Sequence, residues 1–111
     1  MQDAIQVTRV FRALSVESRL RMLQLLRGRT LCVGALAVHL GVSSAAVSQH
    51  LRILRDLSLV EAQRRGNRVH YALNEVTLAK WKAAVAEALA VEPKRRGRAR
   101  QSRSAITRRA R

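Results

Sequence analysis

Three observations predict a mainly α-helical domain with one small β-hairpin. Apolar residues recur at helical spacing through the first 57 positions. The period then drops to two on either side of Gly66-Asn67, and a helical pattern resumes after Asn74. The charge balance, 22 Lys+Arg against 7 Asp+Glu for a net +15, implies that this fold meets a polyanion.

Taken in order, Val7, Val10, Phe11 and Leu14 fall on one face of a first helix that Asp3 can cap. Ser15 is the expected N-cap of a second, with Val16, Leu20, Leu23 and Leu26 as its buried stripe and Gly28 as its left-handed stop. A short third helix turns Val33, Leu36, Ala37 and Leu40 inward and ends at Gly41. Ser43 caps a fourth, from Ser44 to about Leu57, with Val47, Leu51 and Leu54 facing the core. Val60, Ala62 and Arg64 alternate with Glu61 and Gln63, and Val69, Tyr71 and Leu73 alternate with His70 and Ala72, so Arg65-Gly66-Asn67-Arg68 is the turn of a hairpin. Asn74 caps a last helix, Val76 to about Val91, with Leu78, Trp81, Val85 and Leu89 on one face. Four helices, a hairpin and a final helix, over residues 1–92, make the order of a winged helix-turn-helix domain.

At 111 residues the chain supports one such domain and a tail. One cysteine excludes an internal disulfide framework and an all-cysteine metal site within a chain. The longest apolar run, Leu31 to Val38, is too short to span a bilayer, and no secretory leader pattern opens the sequence. A cytoplasmic location with no membrane partner is therefore expected. From Lys94 to Arg111 there are nine bases and no acid, which leaves 13 bases and 7 acids, a net of +6, on the rest. A Pro93-initiated tail so charged, with only Ile106 as a large apolar residue, is expected to be disordered over 93–111 and to seek nucleic acid.

The strongest local signal is the pair of short helices joined at Gly41-Val42-Ser43, the layout of a DNA-reading helix-turn-helix. Ser44, Ser48, Gln49 and Arg52 face outward near the start of the second helix, where amide and guanidinium groups suit adenine and guanine edges. Ser43 and Arg55 are better placed for phosphate. Arg64, Arg65 and Arg68 crowd the hairpin tip, where like charges repel unless an anion sits beside them, as for a wing on the DNA backbone. The plainer alternatives are the solvated side of a core helix and a turn kept soluble by arginine. No carboxylate pair, nucleophile motif or phosphate loop is present, so an enzyme is not expected.

Ser15 to Leu20, Leu31 to Leu36, Ser48 to Arg55, Leu59-Val60 and Arg65 to Leu73 together resemble the ArsR-type winged-helix repressors over roughly residues 4 to 90. The resemblance implies a homodimer paired through its first and last helices, here Val7, Val10, Phe11, Trp81, Val85 and Leu89, on a double-stranded DNA operator. Many members release DNA on binding metal. The arsenic-responsive ones carry two cysteines at the positions of Cys32 and Gly34, and Gly34 removes that thiolate pair. Another branch binds metal through Asp and His on the last helix, where Val76 to Val91 offers only Glu87. No metal site or cofactor is therefore expected, and the inducer, if there is one, stays unassigned. Ser58 stands where the family usually has Gly. His50 packs beside Leu51 and Leu54 or contacts DNA, packing being preferred. Cys32, at a helix start, is a thiol sensor or, preferably, a small core residue. A nonspecific nucleoid-type packaging protein, driven by the tail, is the alternative to a specific repressor.

Overall fold

The computed structural model describes residues 4–90. The Asp3 cap and the tail from Pro93 onward lie outside the described residues. The elements are α1 (Ala4–Leu14), α2 (Glu17–Leu25), α3 (Val33–Leu40), α4 (Ser44–Asp56), β1 (Val60–Arg65), β2 (Arg68–Leu73) and α5 (Glu75–Leu89). This is the winged helix-turn-helix order the hydrophobic periods predict.

Apolar stripes from α2, α3 and α4 meet in one core: Met22, Leu23, Leu26, Leu36, Leu40, Val47, Leu51 and Leu54, closed below by Leu57, Leu59 and Val60. Helix α1 lies against α2 and α5 and buries Val7, Val10 and Ala13.

Two expectations for α2 need correction. Ser15 does not cap it: its hydroxyl donates to the Arg12 carbonyl at 2.8 Å, closing α1, and the N-cap is Val16 with no side-chain cap. Leu20 is 43% exposed, whereas Met22 is fully buried. Apolar residues occupy more than half the circumference of α2 (Leu20, Met22, Leu23, Leu25, Leu26), so the period alone does not single out the inward stripe.

Helix α5 starts at Glu75, one residue earlier than expected, with Asn74 Oδ1 accepting from the Thr77 N–H at 3.1 Å. Its stripe is only partly used. Leu78, Trp81 and Val85 are half-buried, and Leu89 is 65% exposed. At about 17 Å, α1 is shorter than α5 at about 23 Å and cannot cover it end to end.

The exit from α4 holds the one left-handed non-glycine among the described residues, Ser58 at φ 61°. The Ser58 N–H reaches the Arg55 carbonyl at 2.8 Å and the Leu59 N–H reaches that of Leu54 at 3.0 Å, the paired bonds of a Schellman motif. Serine here does the work that glycine usually does.

Candidate nucleic-acid interface

The helix-turn-helix is set by its turn. Gly41 takes φ 69°, open to glycine without strain, and ends α3 with its N–H on the Ala37 carbonyl at 2.9 Å. Two residues later Ser43 Oγ accepts from the Ala46 N–H at 3.0 Å, capping α4. So α4 leaves the core with Val47, Leu51 and Leu54 inward. Ser44, Ser48, Gln49, Arg52 and Arg55 are all exposed, and none of these five side chains has a partner among the described residues.

The hairpin is held at a definite place beside that helix. Leu31, just before α3, bridges Tyr71 of β2 through two backbone hydrogen bonds, 3.1 Å and 2.8 Å. The sequence pattern does not mark this third extended segment, because a single bridging residue has no period, nor does it mark Tyr71 as a site residue. With Ser48, Arg52, Arg55 and Asp56 it lines a groove between α4 and β2, so reading helix and wing share one surface.

The wing arginines do not all crowd one tip. Register pairs Arg64 with Val69 and Arg65 with Arg68, while Ala62 faces Tyr71 and Gln63 faces His70. Arg64 therefore shares the face of Ala62 and Tyr71, and Arg65 and Arg68 stand together on the other face. The turn between them is Gly66-Asn67, with φ 66° at Gly66 alone, the positive-φ pattern of a type II′ hairpin. Directly opposed like charges destabilise a strand pair. Among the described residues neither has a carboxylate to offset the other, and Arg65 reaches only Gln63 Oε1, at 3.5 Å.

His50, on the inner flank of α4, accepts a hydrogen bond at Nδ1 from Arg19 Nε at 3.3 Å. Arg19 Nη1 also donates to the Ala13 carbonyl at 3.2 Å. Burial, and then the Arg19 charge, hold the imidazole below its ordinary pKa, which keeps Nδ1 an acceptor. His50 is thus half-buried and tied to α2 by this hydrogen bond.

Cys32 is the N-cap residue of α3 and half-buried. The Ala35 N–H lowers its thiol pKa most; burial opposes this, and the Gly34 N–H and the Arg68 charge add to the lowering. Gly34 supplies no second thiol. Among the described residues no cluster of three or more His, Cys, Asp or Glu is formed, and α5 carries only Glu75 and Glu87.

Of the six residues expected to pair two copies, Val7 and Val10 are 4% and 3% exposed within one chain and have no surface left for a partner. Trp81 packs against the chain's own core as well. Phe11 and Leu89 remain exposed, joined by Ile5 at 73%, which the period did not mark. Among the described residues no helix is long and apolar enough to cross a membrane.

The profile of the bacterial regulatory protein, arsR family, matches residues 17–62, from the start of α2 into β1. The transcriptional repressor SdpR of Bacillus subtilis is 35% identical over 69 residues, 62% of this chain and 77% of that protein. The chain belongs to the ArsR family. A second ArsR-type relative, the transcriptional repressor SmtB homolog of Synechocystis, is 44% identical over 73 residues, 66% of this chain but only 55% of that protein. Among solved structures, the homodimeric winged helix-turn-helix DNA-binding domain of a possible ArsR-family regulator from Mycobacterium bovis superposes with a TM-score of 0.62 at 33% identity, covering 75% of this chain and 78% of that one.

Proposed function

We propose that this ArsR-family chain is a homodimeric, sequence-specific transcriptional repressor that acts on DNA in the cytoplasm. One observation carries the reading. Among the described residues, Ser44, Ser48, Gln49 and Arg52 stand exposed and unpartnered on a capped helix, next to a wing whose Arg65 and Arg68 face each other without a carboxylate. Such groups can exchange water for bases and phosphates without breaking any contact within the fold. Ser43, Arg55 and the wing arginines hold the backbone in this reading. Two copies pair through the exposed apolar residues of α1 and α5, Ile5, Phe11 and Leu89, and the half-buried Val85, which sets two reading helices about 34–36 Å apart.

Operator footprinting upstream of the chain's own gene, followed by Gln49→Ala and Ser48→Ala, tests this. Each substitution should relax discrimination at particular base pairs by about 1–3 kcal/mol. Uniform loss on every sequence would refute base reading by α4. The nonspecific packaging alternative draws support from the nine bases of 94–111. A competition titration of operator against random duplex separates the two, a ratio near one favouring packaging.

Regulation in this reading does not run through the family's metal positions, because Gly34 and the acid-poor α5 lack the donors. Domain limits at 92/93 and a purely regulatory, non-catalytic role belong to the same proposal.

A further inference from the structure

We propose that the cleft between α1, α2 and α4 is a binding site for a compact oxyanion of about two negative charges, a phosphate monoester or a dicarboxylate. The cleft is about 460 Å³, within the range of small-molecule sites, and Arg9, Arg12, Ser15, Arg19, Ile53 and Asp56 are among its walls. Three guanidiniums against the one carboxylate of Asp56 leave two uncompensated positive charges. Among the described residues the side chains of Arg9, Arg12 and Asp56 make no hydrogen bond or ion pair.

Arg19 is already immobilised. Its Nε is on His50 Nδ1 at 3.3 Å and its Nη1 on the Ala13 carbonyl at 3.2 Å, leaving Nη2 free for a ligand. A guanidinium fixed in advance loses little further freedom on taking an oxyanion. Arg9 and Arg12, three apart on α1, lie on neighbouring positions of one helical face and supply the other forks.

The test separates a small anion from a DNA phosphate, because Asp56, about 18 Å along α4 from Ser44, also borders the groove of Ser48, Arg52 and Arg55. The site is built partly on the reading helix, through Ile53 and Asp56, and is tied to it again by the hydrogen bond from Arg19 to His50. An anion that screens Arg19 also weakens one of the two influences holding the His50 imidazole neutral.

The proposal is tested first without DNA and then against a random duplex. Inorganic phosphate and succinate are titrated into the full chain at constant ionic strength in chloride, following the Arg19 Hε and His50 ring resonances. Saturable shifts are expected with at least one probe, with His50 titrating at higher pH when the site is filled. The probe that saturates first identifies the head group. Arg12→Gln should weaken binding about tenfold, as for one charge-assisted hydrogen bond, and Arg9→Gln with Arg12→Gln should abolish it. Both arginines are exposed on α1, so folding is retained and is checked by circular dichroism. Shifts linear in anion and equal to those of chloride overturn the proposal. So does saturable binding that survives the double substitution, or a double variant that loses random-duplex affinity and keeps phosphate.

Discussion

The opposed pair Arg65 and Arg68 should trade stability for DNA affinity, and the two effects should combine differently. Cross-strand partners place their Cβ atoms about 5 Å apart, and two exposed guanidiniums reaching outward average about 6 Å. Coulomb repulsion there is about 0.7 kcal/mol in water, and screening at 0.15 M ionic strength roughly halves it. Arg65→Gln or Arg68→Gln should therefore stabilise the free protein by about 0.3 kcal/mol. The double variant should gain no more than either single one, because the first substitution already removes the repulsion. On DNA the arithmetic is additive: each lost phosphate contact lowers the log–log salt slope by about 0.9, or about eightfold in affinity at 0.1 M salt relative to 1 M. Urea melts give the first quantity. Fluorescence anisotropy on a random 20-base-pair duplex at four salt concentrations gives the second. Unchanged slopes, or a loss confined to one DNA sequence, would refute the assignment of this wing face to the backbone. Additive stability gains would show that the two charges do not face each other.

Ser58→Gly should raise stability by about 0.5 kcal/mol, as relief of a left-handed serine outweighs the greater freedom of glycine in the unfolded chain; a lower urea midpoint would count against the Schellman exit. His50 is held below its ordinary pKa in the fold, so the native state binds fewer protons than the unfolded chain as His titrates. The stability it contributes is complete above about pH 6.5 and is lost as the pH falls through the lower, folded-state value. His50→Gln should flatten that part of the urea-midpoint profile, and an identical profile would remove His50 as its source. Gly34→Cys should create arsenite-dependent release of DNA, since a Cβ at position 34 lies 4.0 Å from Cys32 Sγ. The natural chain should keep its DNA affinity with equimolar zinc, cadmium or arsenite, and a response abolished by Cys32→Ser would overturn that. Truncation after Pro93 should make the salt slope on random duplex shallower, and equal slopes with and without those residues would mean that they do not touch DNA.

How much of this was legible in the sequence differs from residue to residue. Ser43, Gly41 and Asn74 act through hydrogen bonds and backbone angles a few residues away, so their turns and caps could be placed from local chemistry. Ser15 shows the limit: its hydroxyl had two helix ends within reach, and it went back to Arg12. The exposed row on α4 was also readable, because Val47, Leu51 and Leu54 fix the inward face and leave Ser44, Ser48 and Arg52 on the other side. Composition alone pointed to a polyanion, since a net charge of +15 needs no fold to act at a distance.

Tertiary structure decided what depends on which surfaces meet. The pairing of Leu31 with Tyr71, the sharing of a groove by Tyr71, Arg52 and Arg55, and the hold of Arg19 on His50 join residues 40, 19, 16 and 31 positions apart. No periodicity encodes such distances. The apolar faces of α1 and α5 were visible as faces, but not which residues would be spent inside the chain. Val7 and Val10 went to the core with Ala13, Ile5 and Phe11 stayed outside on the flanks of α1 away from that face, and Leu89 stayed outside because a short helix can cover only part of a longer one. Hydrophobic pattern states that a face must be covered; packing geometry chooses what covers it.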